Sequence, residues 1–87
     1  MKKLICQAIK AHKQLKFIYS NEERKVEPHM YGILGKDEQI HAYQINEGWK
    51  NFKVRNVTNL KMLKATFKTE TTYNKSNAHY TNIFCSL

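Results

Sequence analysis

The residues with chemistry to offer begin in the stretch from Tyr19 to Gly32, Tyr-Ser-Asn-Glu-Glu-Arg-Lys-Val-Glu-Pro-His-Met-Tyr-Gly. Side chains of an extended segment alternate between two faces, so Arg24, Val26 and Pro28 share one face and Lys25, Glu27 and His29 the other. An arginine on the face of a valine and a proline is expected to pack its stem and aim its guanidinium at a partner. Pro28 donates no backbone hydrogen bond, which places it at an edge, a bulge or a strand end. Downstream, Tyr31, His41, Tyr43 and Trp49 add aromatic groups, and Lys50, Lys53 and Arg55 add cations. Cations for phosphates beside aromatic rings for bases are what single-stranded nucleic acid requires of a protein. The expected binding residues are therefore Tyr19, Arg24, His29, His41, Tyr43, Trp49, Lys50, Lys53 and Arg55. Phe17 and Phe52 are assigned to the core, whereas Trp49 and Tyr43 suit either core packing or base stacking.

Catalysis has less support. A reaction needs a base, nucleophile or metal arranged so that one group activates another. The acids sit mainly in turns, and the chain has no Gly-x-Ser-x-Gly, His-Glu-x-x-His or phosphate-loop pattern. His29 and His41 are the pair that would meet across neighbouring strands, as a nuclease would need; His12 falls on a helix surface and His79 in a polar tail. Two cysteines without CxxC spacing and four scattered histidines form no metal signature. No enzyme activity, cofactor or metal is expected.

Charge points to the class of partner. The formal net charge is +8 over 87 residues. Five lysines precede the first acid, Glu22, and from Gly48 to Lys68 there is no acid at all. Such a surface favours a nucleic acid or a nucleotide-like anion. No apolar run approaches the ~20 residues needed to span a bilayer. Gln7 and Lys10 interrupt the opening apolar residues, so the start reads as an amphipathic helix rather than a signal peptide. A cytoplasmic protein without membrane contact is expected, and with it free thiols at Cys6 and Cys85.

These residues need elements to hold them. Leu4, Ile5, Ala8, Ile9 and His12 recur at helical spacing. Leu15 to Tyr19 reads as a first strand, Ser20 to Glu23 as a turn and Arg24 to Met30 as a second strand. Tyr31 to Leu34 either continues that strand through a bend or starts another, with Gly32 suited to a bulge or corner. Gly35-Lys36-Asp37 closes a hairpin, Gln39 to Ile45 forms a strand, Asn46 to Gly48 turns, and Trp49 to Arg55 forms the next strand. Val57, Leu60 and Leu63 mark a short closing element, helical turn or strand. Residues 68–87 form a polar tail or an extra edge strand around Thr71–Tyr73, with Ile83 and Phe84 able to tuck back on the core. Short strands with frequent turns suggest a small barrel or a curved sheet. The expected fold is α+β: an N-terminal helix packed on a strongly curved five-stranded antiparallel sheet, in a single domain.

Arg24-x-Val26-Glu27-Pro28-His29, Gly32, Ile40-His41-Ala42-Tyr43-Gln44 and Trp49-Lys50-x-Phe52-Lys53-Val54, following an apolar helix and a strand ending in Tyr19, resemble a WYL domain over about residues 4 to 67. The tripeptide that names the family falls on Glu38-Gln39-Ile40, where only the aliphatic third position survives. The resemblance implies an SH3- or Sm-like barrel and a regulatory module that senses ligands or nucleic acid in bacterial transcription and phage-defence regulators. It matches the family's arginine to Arg24, its strand-ending tyrosine to Tyr19, and its late basic positions to Lys50 and Lys53. Lysine there loses the planar fork that arginine offers a phosphate. No helix-turn-helix precedes the domain, so a stand-alone module is expected, acting alone, as a homo-oligomer or on a partner regulator.

Overall fold

The computed structural model describes residues 1–87. Helix α1 (Lys2–Lys10) buries Ile5, Ala8 and Ile9, the stripe that its spacing foretold. It ends where His12 takes a left-handed conformation, φ 53°, and the chain enters β1 (Lys13–Tyr19). Leu15 and Phe17 of β1 point inward. Ser20 and Asn21, with φ 52° and 63°, form the tight turn that suits the right-handed twist of a hairpin.

The central strand is β2 (Glu22–Leu34), which continues unbroken through Tyr31–Leu34. Pro28 pairs with Ala42 and Met30 with His41, so His29 is the extra residue of a bulge. A residue that cannot donate to the ladder thus sits where the ladder is interrupted. The bulge also changes which way side chains point, so Pro28, His29 and Met30 are all fully buried.

Strands β3 (Asp37–Gln44) and β4 (Gly48–Lys53) follow as antiparallel neighbours. The strand expected to run to Arg55 stops at Lys53 and becomes a 3-10 turn, Val54–Asn56, leaving Val54 half-buried. The closing element is β5 (Thr58–Thr66), and it is a strand. The sheet order is β4-β3-β2-β1-β5, and β6 (Asn82–Ser86) pairs with the second half of β2. Antiparallel β1 occupies one edge of β2 at its start, and β6 takes over that edge near its end. The architecture is α+β with a small, barrel-like antiparallel sheet, and the sheet gains a sixth strand over the five expected.

Ile5, Ile9, Leu15, Phe17, Val26, Tyr31, Ile40, Ala42 and Phe52 form the core. Phe17 and Phe52 meet edge to face at 5.0 Å, as their assignment to the core requires. The extra strand lies at Asn82–Ser86 rather than around Thr71–Tyr73. Phe84 does tuck back, edge-on to Tyr31 at 5.1 Å, while Ile83 stays 41% exposed.

One expectation is overturned here. Cys6 and Cys85 are joined in a disulfide, with Cα atoms 5.8 Å apart, and no cysteine is free. The bridge ties α1 to β6, because β6 returns along β2 on the side where the helix packs. Gly32 has a matching reason. A methyl group there would collide with the Asn82 carbonyl oxygen and lie 2.9 Å from Ile83 Cα, so glycine permits β6 to approach.

Candidate ligand-binding surface

The sequence places nine binding residues on one basic, aromatic face; the fold distributes them over three places. Arg24 lies opposite Phe17 in the β1–β2 ladder and so shares the inner face. Its side chain is only 12% exposed. Nη1 donates to Gln44 Oε1 at 3.1 Å, Nη2 donates to the Tyr19 carbonyl at 3.4 Å, and Glu22 lies 3.7 Å away. The guanidinium carbon is 5.8 Å from the Tyr19 ring centre and 5.9 Å from that of Phe52. Gln44 in turn donates to Glu47 at 2.6 Å, and Lys50 meets Glu47 at 3.4 Å. Tyr19 accepts the Lys53 backbone N–H at 3.1 Å. The guanidinium is indeed aimed at something, and that something is the chain itself.

His29, His41, Tyr43 and Trp49 gather elsewhere. His41, Tyr43 and Trp49 alternate with the core residues Ile40, Ala42 and Phe52 and therefore face outward from β3 and β4. The segment between β5 and β6 is laid over them. Trp49 Nε1 donates to Thr72 Oγ1 at 2.9 Å, and Tyr80 donates to Asn51 Oδ1 at 2.8 Å. His41 Nδ1 donates to that same oxygen at 2.8 Å. The His41 and Trp49 rings stack at 4.7 Å and 5°.

His29 is enclosed beneath this cover, with Trp49, Phe67 and Tyr73 ring centres at 4.8, 5.2 and 4.9 Å. Its Nδ1–H donates to the Glu27 carbonyl at 2.8 Å, and its Nε2 accepts the Glu70 backbone N–H at 3.0 Å. Both nitrogens are engaged, and burial holds the ring's pKa below the ordinary imidazole value. Its neighbour Glu27 is pushed up to about 7 by burial and then by contact with Glu70, and one of its carboxyl oxygens is buried without a partner. His29 has no free lone pair with which to serve His41 as a second catalytic base.

Lys53 and Arg55 form the third group. They bracket Asp37 at 3.6 and 3.4 Å, at the far end of β3.

What the sequence reading missed is a row of cations. Lys16 is paired with Lys25 on one side and with Lys61 on the other, so three lysines stand in line across β2, β1 and β5. Lys16 lies between the buried Leu15 and Phe17 and so faces out, and its ladder partners share that face, over a width of about 10 Å at ordinary strand spacing. None takes part in an ion pair. Like charges directly opposite one another weaken a sheet. The fold gains nothing from this row, which is a reason to seek its use in binding.

Beside it the β1–β5 ladder slips: Lys16 pairs with Lys61, but Ile18 pairs with Thr58, and Asn59 adopts φ 54°. The slip opens a cleft of about 450 Å³ lined by Lys16, Phe17, Ile18, Glu23, Asn59, Leu60 and Lys61. The lysines were visible in the sequence, but their alignment depended on β5 being a strand in this register. Compared with family models, curated proteins and solved structures, the chain finds no match.

Proposed function

We propose that this protein is a non-enzymatic, WYL-like regulatory module that holds a nucleic acid, single-stranded in preference to duplex, or a nucleotide-like anion. The observation that carries this reading is the Lys25–Lys16–Lys61 row, unpaired and set beside the largest cleft. A phosphate chain neutralises such a row and releases its counterions, so affinity must fall steeply with salt. Fluorescence anisotropy with single-stranded DNA, single-stranded RNA and duplex at two salt concentrations is the test. Replacing Lys16, Lys25 and Lys61 together by Gln should flatten the salt dependence by about three phosphate contacts. An unchanged slope would sink this reading.

A second reading is a protein-interaction or oligomerisation module. β5 pairs only with β1, and its other edge carries no partner strand. Met62 on β5 is 40% exposed, with Leu60 and Leu63 half-buried nearby. Unpaired strand edges invite pairing with another chain. Self-association by this edge would survive high salt and would be lost in Met62→Lys.

No helix is long and apolar enough to cross a membrane. The Cys6–Cys85 bridge favours an oxidising setting over the cytoplasm expected from the sequence, since the cytosol keeps thiols reduced. Alkylation in intact cells without reductant decides between them: two modified cysteines for the cytoplasm, none for the oxidising setting.

A further inference from the structure

The segment between β5 and β6 covers β3 and β4 incompletely. It leaves a slot of about 230 Å³ lined by His41, Trp49, Thr72, Asn74, Asn77 and Ala78. The His41 and Trp49 rings stack face to face at 4.7 Å, 5° from parallel, and both border the slot. Opposite them stands the 3-10 turn Ser76–Ala78, pinned where the Asn77 backbone N–H donates to Asn74 Oδ1 at 3.2 Å. Both rings are held in place, Trp49 by Thr72 and His41 by Asn51.

The groups that remain are chosen for a particular kind of ligand. With Nδ1 donating to Asn51, a neutral His41 keeps Nε2 as an acceptor. Burial lowers the pKa of His41, which keeps it neutral near pH 7. The Asn77 carboxamide and the Asn74 amide nitrogen add donors and an acceptor around the rim. A slot bordered by aromatic rings, amides and an imidazole suits a planar heteroaromatic ring with hydrogen-bonding edges. We propose that this slot takes one unpaired nucleobase of the strand whose phosphates lie on the lysine row.

The choice of ligand rests on the nucleic-acid reading above. Slot and row are close enough for one strand to use both. Trp49 pairs with Tyr43 and Tyr43 with Glu27, and Glu27 is two residues along β2 from Lys25, on the same outer face. A duplex keeps its bases stacked and paired, so extruding one would cost free energy that a single strand does not spend.

Trp49 is the sole tryptophan, so its fluorescence reports on the slot directly. Uncharged adenosine, cytidine, guanosine and uridine are titrated into the protein at low and high salt, and oligonucleotides at low salt. At least one nucleoside should quench Trp49 saturably and equally at both salts. Asn77→Leu, at an exposed position, should weaken that binding roughly tenfold with an unchanged Tm, while the triple lysine variant should keep it. No saturable quenching by any nucleoside, with oligonucleotides still bound in a salt-dependent way, would overturn the slot and leave the nucleic-acid reading standing. Nucleoside quenching without oligonucleotide binding would uphold the slot and overturn that reading. Equal nucleoside binding by Asn77→Leu would also overturn the slot.

Discussion

Arg24 spends its hydrogen bonds inside its own chain, on Gln44 and the Tyr19 carbonyl. Removing it leaves the buried Gln44 oxygen without its donor, so Arg24→Ala should cost about 1–3 kcal/mol of stability. The folded fraction should bind oligonucleotides within about twofold of the wild type, because the lysine row is untouched. A melt and an anisotropy titration on the same variant check both halves. Glu27 and His29 belong to this scale too, and they pull in opposite directions. The folded value of Glu27, about 7, stands above its ordinary 4.5. Its contribution is therefore full below about 4.5 and lost as pH rises through about 7. His29 is shifted down, so its contribution is present above its ordinary 6.5 and is lost as pH falls below that. Glu27→Gln should remove the first effect alone. The variant should exceed the wild type by about 1 kcal/mol at about pH 8, discounted for partial solvent screening. That gain should vanish toward about pH 4.5, leaving the acid-side loss due to His29. Urea melts across this range would show it, and a gain that persists at the acid end would contradict the assignment.

At the scale of elements, β6 completes the sheet. It supplies Phe84 to the face of Tyr31, pairs with β2 and anchors α1 through the disulfide. Gly32→Ala pushes a methyl group into the β6 backbone, which has no flexible end to yield. Overpacking of this kind costs typically about 1–3 kcal/mol, and hydrogen exchange should quicken in Asn82–Ser86 before it does in β1. The disulfide closes a loop across a sequence separation of 79 residues. Its loss should cost about 2–4 kcal/mol, chiefly by freeing the unfolded chain. The wild type should then melt lower with reductant present, whereas the Cys6→Ser/Cys85→Ser pair should melt low with or without it. Wild-type melts indifferent to reductant would show that the bridge does not contribute.

For the whole molecule, a net charge of +8 predicts that any polyanion it binds is held with a strong salt dependence. Several features of this arrangement were legible in the sequence because they are local. Helical spacing marked α1, alternation marked β1 to β4, Ser20-Asn21 and Gly35-Lys36 marked turns, and Pro28 marked an interruption in β2. Phe17 and Phe52 announced a core because each sits at an inward position of its strand. What the sequence could not determine depends on pairings between distant residues. Alternation says that Lys16 faces outward, but only the formation of β5 as a strand in this register sets Lys61 beside it. The stretch from Phe67 to Thr81 has no periodicity, so nothing local shows that Tyr73 and Tyr80 reach His29 and Asn51. Arg24 and Trp49 looked like members of one face, but strand parity sends the first inward and the second outward. Cys6 and Cys85 are nearly a chain length apart, and they meet only because β6 folds back along β2 under the helix. Composition and periodicity determined which residues are apolar, charged or turning; the tertiary structure decided which of them are neighbours, because proximity across a sheet follows from register and not from order along the chain.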